Sequence, residues 1–182
     1  TEKPAQKEEP TSHAKPPPAP SSSESSSDQS SMDVQEMDSQ AAERVFKHGL
    51  NQLFTYQNWL LTQNPLSPLA FRLIRWVAWS QVQALPPAEG AATHIPPPEA
   101  EVMDSILRLL RQGKFKQVLQ ESESRVSQYL FWLDLSWASA QALQGLGEDG
   151  GTALEVLETE TALFLRRLPG LKDLTFNDGT PF

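Results

Sequence analysis

A chain of 182 residues is long enough for one ordinary domain with a tail, or for two small ones. The formal net charge of -8 disfavours nucleic acid and anionic membrane as partners, because phosphate binding relies on clustered positive charge. With no cysteine, disulfides, thiolate nucleophiles and the usual structural zinc sites are excluded.

Residues 1–32 carry six prolines and nine serines but no aromatic or branched aliphatic residue, too little apolar surface to offset the entropy of ordering. They read as a disordered linker, followed by a folded domain over 33–182. The charge divides the same way: residues 1–38 hold three Lys/Arg against eight Asp/Glu, whereas 39–182 hold twelve against fifteen. The chain opens TEKPAQKEEP, without an initiator methionine or a signal-peptide core, and nowhere reaches 18 consecutive apolar residues. A protein that does not insert into a membrane is expected, and a start inside a Pro/Ser linker implies a piece of something longer.

The first predicted helix covers about 37–62. Phe46, Leu50, Leu53, Phe54, Leu60 and Leu61 share a face, with Asp33, Glu36 and the Asp38-Ser39 pair as N-terminal capping groups and Asn64-Pro65 as the stop. A second begins at Ser67, with Pro68 at the first helical position, and runs through AFRLIRWVAW to about Gln83. LPPAEGAATHIPPPE, residues 85–99, holds five prolines and reads as an extended connector laid over the helices. A third helix, about 99–112, buries Val102, Ile106, Leu109 and Leu110 and ends at Gly113. The fourth places Phe115, Val118, Leu119, Ser122 and Val126 inward, and FWLDLSWASAQALQGL, 131–146, makes a fifth. Gly-Glu-Asp-Gly-Gly at 147–151 reads as a loose connector to a sixth marked by Leu154, Leu157, Thr161, Leu165 and Leu168. LKDLTF is too short to build a sheet alone. Gly113 and Gly147 stand 34 residues apart, the tetratricopeptide period. The expected fold is all-α, a compact stack of about six to seven helices with tetratricopeptide-like helical hairpins.

Catalytic groupings are thin. His13, His48 and His94 form no metal-ligand spacing, and no phosphate-binding or nucleophile-elbow motif is present. Glu121 with Glu123, and Glu155 with Glu158 and Glu160, read as solvated helix faces. No enzyme, cofactor or metal is expected.

Binding remains. AFRLIRWVAW, residues 70–79, holds two of the five tryptophans and two arginines three positions apart. One reading is a central helix whose arginines pair with carboxylates and whose stems pack on apolar surface. The other is a helix with one flank docked on a partner, since Trp and Arg are enriched among interface hot spots. Arg72, Arg75, Trp76 and Trp79 are therefore the interface candidates. Phe131, Trp132, Leu133 and Trp137 read as core.

Taken in order, the NPLSPLAFR helix, the LPPAEGAATHIPPP connector, a hairpin opening with Gly-x-Phe, FWLDL at 131–135 and the closing LPGLKDLTFNDGTPF resemble the middle region of TssA-type proteins of the bacterial type VI secretion system, the VasJ-like branch. The resemblance covers about 45–182. Family members join this region by a variable linker to an N-terminal ImpA-type domain and continue into a ring-forming C-terminal domain, so the ring-forming activity is not carried over. The resemblance implies a non-enzymatic cytoplasmic component that supports assembly of tail, sheath or baseplate, with this region a connecting and self-association module, a homodimer. A repeat-like adaptor binding a peptide in a groove between hairpins is the alternative.

Overall fold

The computed structural model describes residues 38–182. The linker expected over 1–32, His13, and the caps Asp33 and Glu36 lie outside the described residues. Six helices follow one another: α1 (Ser39–Gln63), α2 (Pro68–Trp79), α3 (Ala100–Arg111), α4 (Phe115–Glu123), α5 (Asp134–Gly145) and α6 (Glu148–Arg167). Two two-residue strands, β1 (Ala88–Glu89) and β2 (Ala92–Thr93), pair antiparallel with Ala88 opposite Thr93. The fold is all-α, as its periodicity predicts.

The main packing order runs α1, α2, α6, α5, α4, α3, with α3 also touching α5. The three-residue turn 112–114 and the two-residue turn 146–147 make the hairpins α3/α4 and α5/α6. Both need a backbone reversal that L residues resist, and Gly113 and Gly147 supply it with φ of 68° and 63°. At Gly113 the α3 terminus closes with Lys114 N–H donating to the Leu109 carbonyl (3.0 Å) and Gly113 N–H to the Leu110 carbonyl (3.0 Å). The 34-residue spacing therefore marks two hairpin turns that each use a positive-φ glycine.

Phe71 and Ile74 of α2, Ile106 of α3, Val118 and Leu119 of α4, Leu135 and Leu143 of α5 and Leu157 of α6 are buried in one continuous core. Each such side chain contributes about 1.5–3 kcal/mol by leaving water. Helix α1 stands apart: capped by Asp38, whose Oδ1 accepts the Ala41 N–H at 2.6 Å, it buries only Leu50, Gln57 and Leu61. Val45, Phe46, Phe54, Tyr56 and Trp59 stay exposed.

Four boundaries differ from the sequence reading. Helix α2 stops at Trp79 instead of about Gln83, because the Trp79 carbonyl, which would accept the Gln83 N–H, is taken by Arg167 Nη2 (2.5 Å) and by Val82 N–H (3.2 Å). Helix α4 ends at Glu123, leaving Val126 buried in the turns that follow, and α5 starts at Asp134 rather than 131. The Leu130 carbonyl just upstream accepts from the Trp79 indole Nε1–H at 2.9 Å instead of from a helical amide. Finally, residues 148–151 are no loose connector: they form the first turn of α6, where Glu148 and Asp149 suit the positive helix end.

The proline-rich connector is also tied down, not merely laid over the helices. Thr93 N–H and Oγ1 donate to the Thr175 carbonyl (3.0 and 2.8 Å), Thr175 N–H to Ala91 O (2.8 Å), and Asn177 N–H to Ile95 O (2.9 Å). Thr175 thus contributes from LKDLTF to a small β cluster it could not build alone. Phe182 closes the chain end, buried against Phe131 (5.5 Å) and edge-on to Phe176 (4.7 Å).

Candidate functional site

Helix α2 lies between α1 and α6, so its faces meet different surroundings. Arg72 and Arg75, three residues apart, fall on opposite sides of the core boundary. The Arg72 side chain is 58% exposed and its Nε donates to Glu160 Oε1 on α6 at 3.1 Å. Arg75 is 1% exposed and forms a bidentate pair with Glu123 of α4, whose side chain is fully buried; Nη2 reaches Glu123 Oε1 at 2.9 Å and Ser136 Oγ at 3.3 Å. Ser139 Oγ donates to the same carboxylate oxygen at 2.6 Å and lies 2.6 Å from Ser122 Oγ, which donates to the Val118 carbonyl at 2.8 Å. The guanidinium sits 5.7 Å from the Phe71 ring and 6.0 Å from the Trp79 ring. Its Nε has no hydrogen-bond partner among the described residues. Glu123 is therefore no member of a solvated face; it neutralises the largest buried cation, a pairing a low-dielectric interior demands.

The two tryptophans divide in the same way. Trp79 is buried, stacked on Phe164 of α6 with centroids 4.2 Å apart and planes 5° from parallel. Trp76 is 47% exposed. It borders an open cleft of about 730 Å³ shared by α1, α2 and α6, with Phe46 and Leu163, both exposed, and the arginines 166 and 167. Arg167 is fixed by its bond to the Trp79 carbonyl and lies 5.6 Å from the Phe164 ring. The structure thus brings Arg72 and Trp76 to the surface and holds Arg75 and Trp79 inside. Phe46 and Leu163 were not singled out from the sequence; helical spacing assigned Phe46 to the inner face, and nothing local distinguishes Leu163 from the core leucines of α6.

Trp137, read as core, is 48% exposed on α5, whereas Trp132 is buried as expected. Five residues apart, the two indoles cannot share one face, and Trp132 precedes the first turn of α5. His48 and His94 are exposed, His48 Nε2 lying 3.4 Å from Gln52 Nε2. Two carboxylates are perturbed, both at the surface: the Lys47 ammonium beside Glu43 lowers its pKa, and the Thr180 backbone N–H and hydroxyl do so for Asp178. Among the described residues no three His, Asp or Glu groups converge as metal ligands, and no helix is long and apolar enough to cross a membrane.

Aromatic and arginine side chains together, as in this cleft, are the residue types enriched in protein-binding surfaces. The sequence match gives the family: a family model described as "Type VI secretion, EvfE, EvfF, ImpA, BimE, VC_A0119, VasJ" matches residues 7–182. The chain belongs to this type VI secretion family, and the match reaches further towards the N-terminus than the resemblance over 45–182. No curated protein matches it.

Proposed function

We propose that the chain is a non-catalytic assembly component of the type VI secretion apparatus, acting in the cytoplasm beside tail, sheath or baseplate proteins. Residues 33–182 serve as its connecting and self-association domain, and 1–32 as a linker. The observation that carries this reading is the cluster of Trp76, Phe46 and Leu163 left exposed around one cleft that Arg166 and Arg167 also line, with Arg72 paired to its Glu160. Large apolar side chains beside guanidinium groups are the usual anchors of protein interfaces, and exposing three of them without a partner is unfavourable. A homodimer through this face covers them.

Light scattering after gel filtration tests the dimer. The parent chain is expected as a dimer stable to dilution, and Trp76→Ala as a folded monomer with its melting temperature little changed. Trp79→Ala serves as a contrast: removing the stacked, hydrogen-bonded indole costs about 3–5 kcal/mol of stability whatever the oligomeric state. A parent chain monomeric at all concentrations overturns self-association. Pull-downs of tail and baseplate proteins that behave alike for parent and for Trp76→Ala overturn the partner role of this face.

A further inference from the structure

A second surface lies away from the Trp76 cleft, at the other end of the packing order. Helices α3, α4 and α5 border an open groove of about 580 Å³. Its floor is apolar: Leu107 and Leu110 from α3, Phe115 from α4 and the half-exposed Trp137 from α5. Gly145 lets the Phe115 ring rest directly on the α5 backbone, since a Cβ there would fall 2.3 Å from the ring. Gln141 and Gln144 stand along one side, joined by a single amide–amide hydrogen bond of 3.3 Å that leaves their remaining donors and acceptors available.

The rim is basic. Residues 108–116, RLLRQGKFK, hold four cations and no acid in a chain of net charge -8. Arg108, Arg111, Lys114 and Lys116 are all exposed, and none makes an ion pair with a described residue. Arg111 lines both the groove and an adjoining depression with Arg108 and Gln112, where Asp104 is the one acid.

From this geometry we infer that the groove docks an acidic protein segment that inserts a large apolar side chain against Trp137, making the chain an adaptor as well as a self-associating module. Charge complementarity fixes the sign of the partner, because Arg111 in the groove and the exposed Arg108, Lys114 and Lys116 beside it in sequence favour and steer an acidic segment. The floor fixes its class. Two leucines and a phenylalanine recessed beside one tryptophan suit an aliphatic or aromatic anchor, whereas single-stranded nucleic acid asks for successive exposed aromatic faces. Glutamine amides along the side match the main-chain groups of a peptide laid in the groove.

The test is to pan a library of random dodecapeptides on the whole chain, then measure labelled binders by fluorescence anisotropy. Enriched sequences are expected to be net acidic with one or two Leu, Phe or Trp residues. Trp137→Ala is expected to weaken binding about tenfold or more, as for a central anchor. Arg108→Glu combined with Arg111→Glu does the same, and binding weakens as NaCl rises from about 0.05 M to about 0.5 M. Trp76→Ala leaves it unchanged, separating this surface from the dimer face. All of these positions are exposed, and circular dichroism melting confirms that the variants fold. Neutral or basic enriched peptides, no enrichment, or affinity indifferent to Trp137→Ala overturns the proposal. So does tighter binding of oligothymidylate than of the peptides, or a dimer that Trp137→Ala alone dissociates.

Discussion

Removing the Glu123 carboxylate isolates the buried ion pair. In Glu123→Ala the Arg75 guanidinium, 1% exposed, keeps its charge but loses both of its bidentate contacts and retains only Ser136 as a hydrogen-bond partner. Losing one member of a buried pair costs about 3–5 kcal/mol, a large share of the roughly 5–15 kcal/mol that holds a domain of this size together. With a urea dependence of about 2 kcal/mol per molar, the unfolding midpoint should fall by roughly 1.5–2.5 M. Tryptophan fluorescence reports it, since Trp79 lies over the pair. The double variant Arg75→Met with Glu123→Leu should behave differently. It removes both charges together with the buried Nε donor that lacks a partner, and such a donor alone costs about 1–3 kcal/mol. Its stability should lie within about 1 kcal/mol of the parent, or above it. The difference between the single and double variants should persist in high salt, because the pair is shielded from mobile ions. A Glu123→Ala variant that loses under about 1 kcal/mol, or a double variant as unstable as the single, refutes the assignment of Arg75 as a buried cation dependent on Glu123.

The adjacent glycines of α6 should respond oppositely to alanine. A Cβ on Gly150 would meet the Leu143 carbonyl oxygen at 2.3 Å, so Gly150→Ala must push α5 and α6 apart and lose about 1–3 kcal/mol despite better helix propensity, whereas Gly151, open within 4 Å, should gain up to about 1 kcal/mol in the same denaturation assay. Asp178 should titrate below an ordinary aspartate by carboxyl NMR, because Thr180 donates its N–H and its hydroxyl to the ionised form, each at 2.9 Å. With the folded pKa lowered, the contribution of Asp178 is fully present above the unfolded value and disappears as pH falls through the folded one; Thr180→Val should return the pKa towards normal, and an unchanged titration counts against the turn.

The helices were legible because their cores rest on strong local signals. Ser67-Pro68 opened α2, Gly113 closed α3, and apolar spacing found all six. The boundaries that failed were set by partners distant in sequence. No local pattern reveals that Arg167 would claim the Trp79 carbonyl, or that Trp79 would claim that of Leu130. The same holds for the acidic residues. Glu121 and Glu123 stand two positions apart in the sequence, yet Glu121 is half-buried against Arg125 and Glu123 is sealed against Arg75, because the buried guanidinium of α2 reaches only one of them. Trp137 differs for another reason: the inner side of α5 is filled by Leu135, Leu143 and the small Ala138, Ser139 and Ala142, which let neighbours approach, and its one aromatic side chain lies on the outer side. The grooves were invisible, since each is assembled from three helices whose mutual placement no single segment encodes.

Helix α2 explains why its sequence looked contradictory. FRLIRWVAW contains the pair Arg72 and Trp76 and, three residues on, the pair Arg75 and Trp79. Residues four apart in a helix share a face, and a shift of three turns that face by about 60°. One Arg/Trp pair therefore enters the core, the guanidinium neutralised by Glu123 and the indole stacked on Phe164. The other is carried just past the boundary, where Arg72 pairs with Glu160 and Trp76 lines the cleft. The same two residue types serve stability on one side and the proposed recognition on the other, and the helix links them: a bidentate buried pair fixes the backbone that carries Trp76 before any partner arrives, which lowers the entropy cost of binding. Weakening the inner pair should thus loosen the outer face, while changing the outer pair should leave the fold intact.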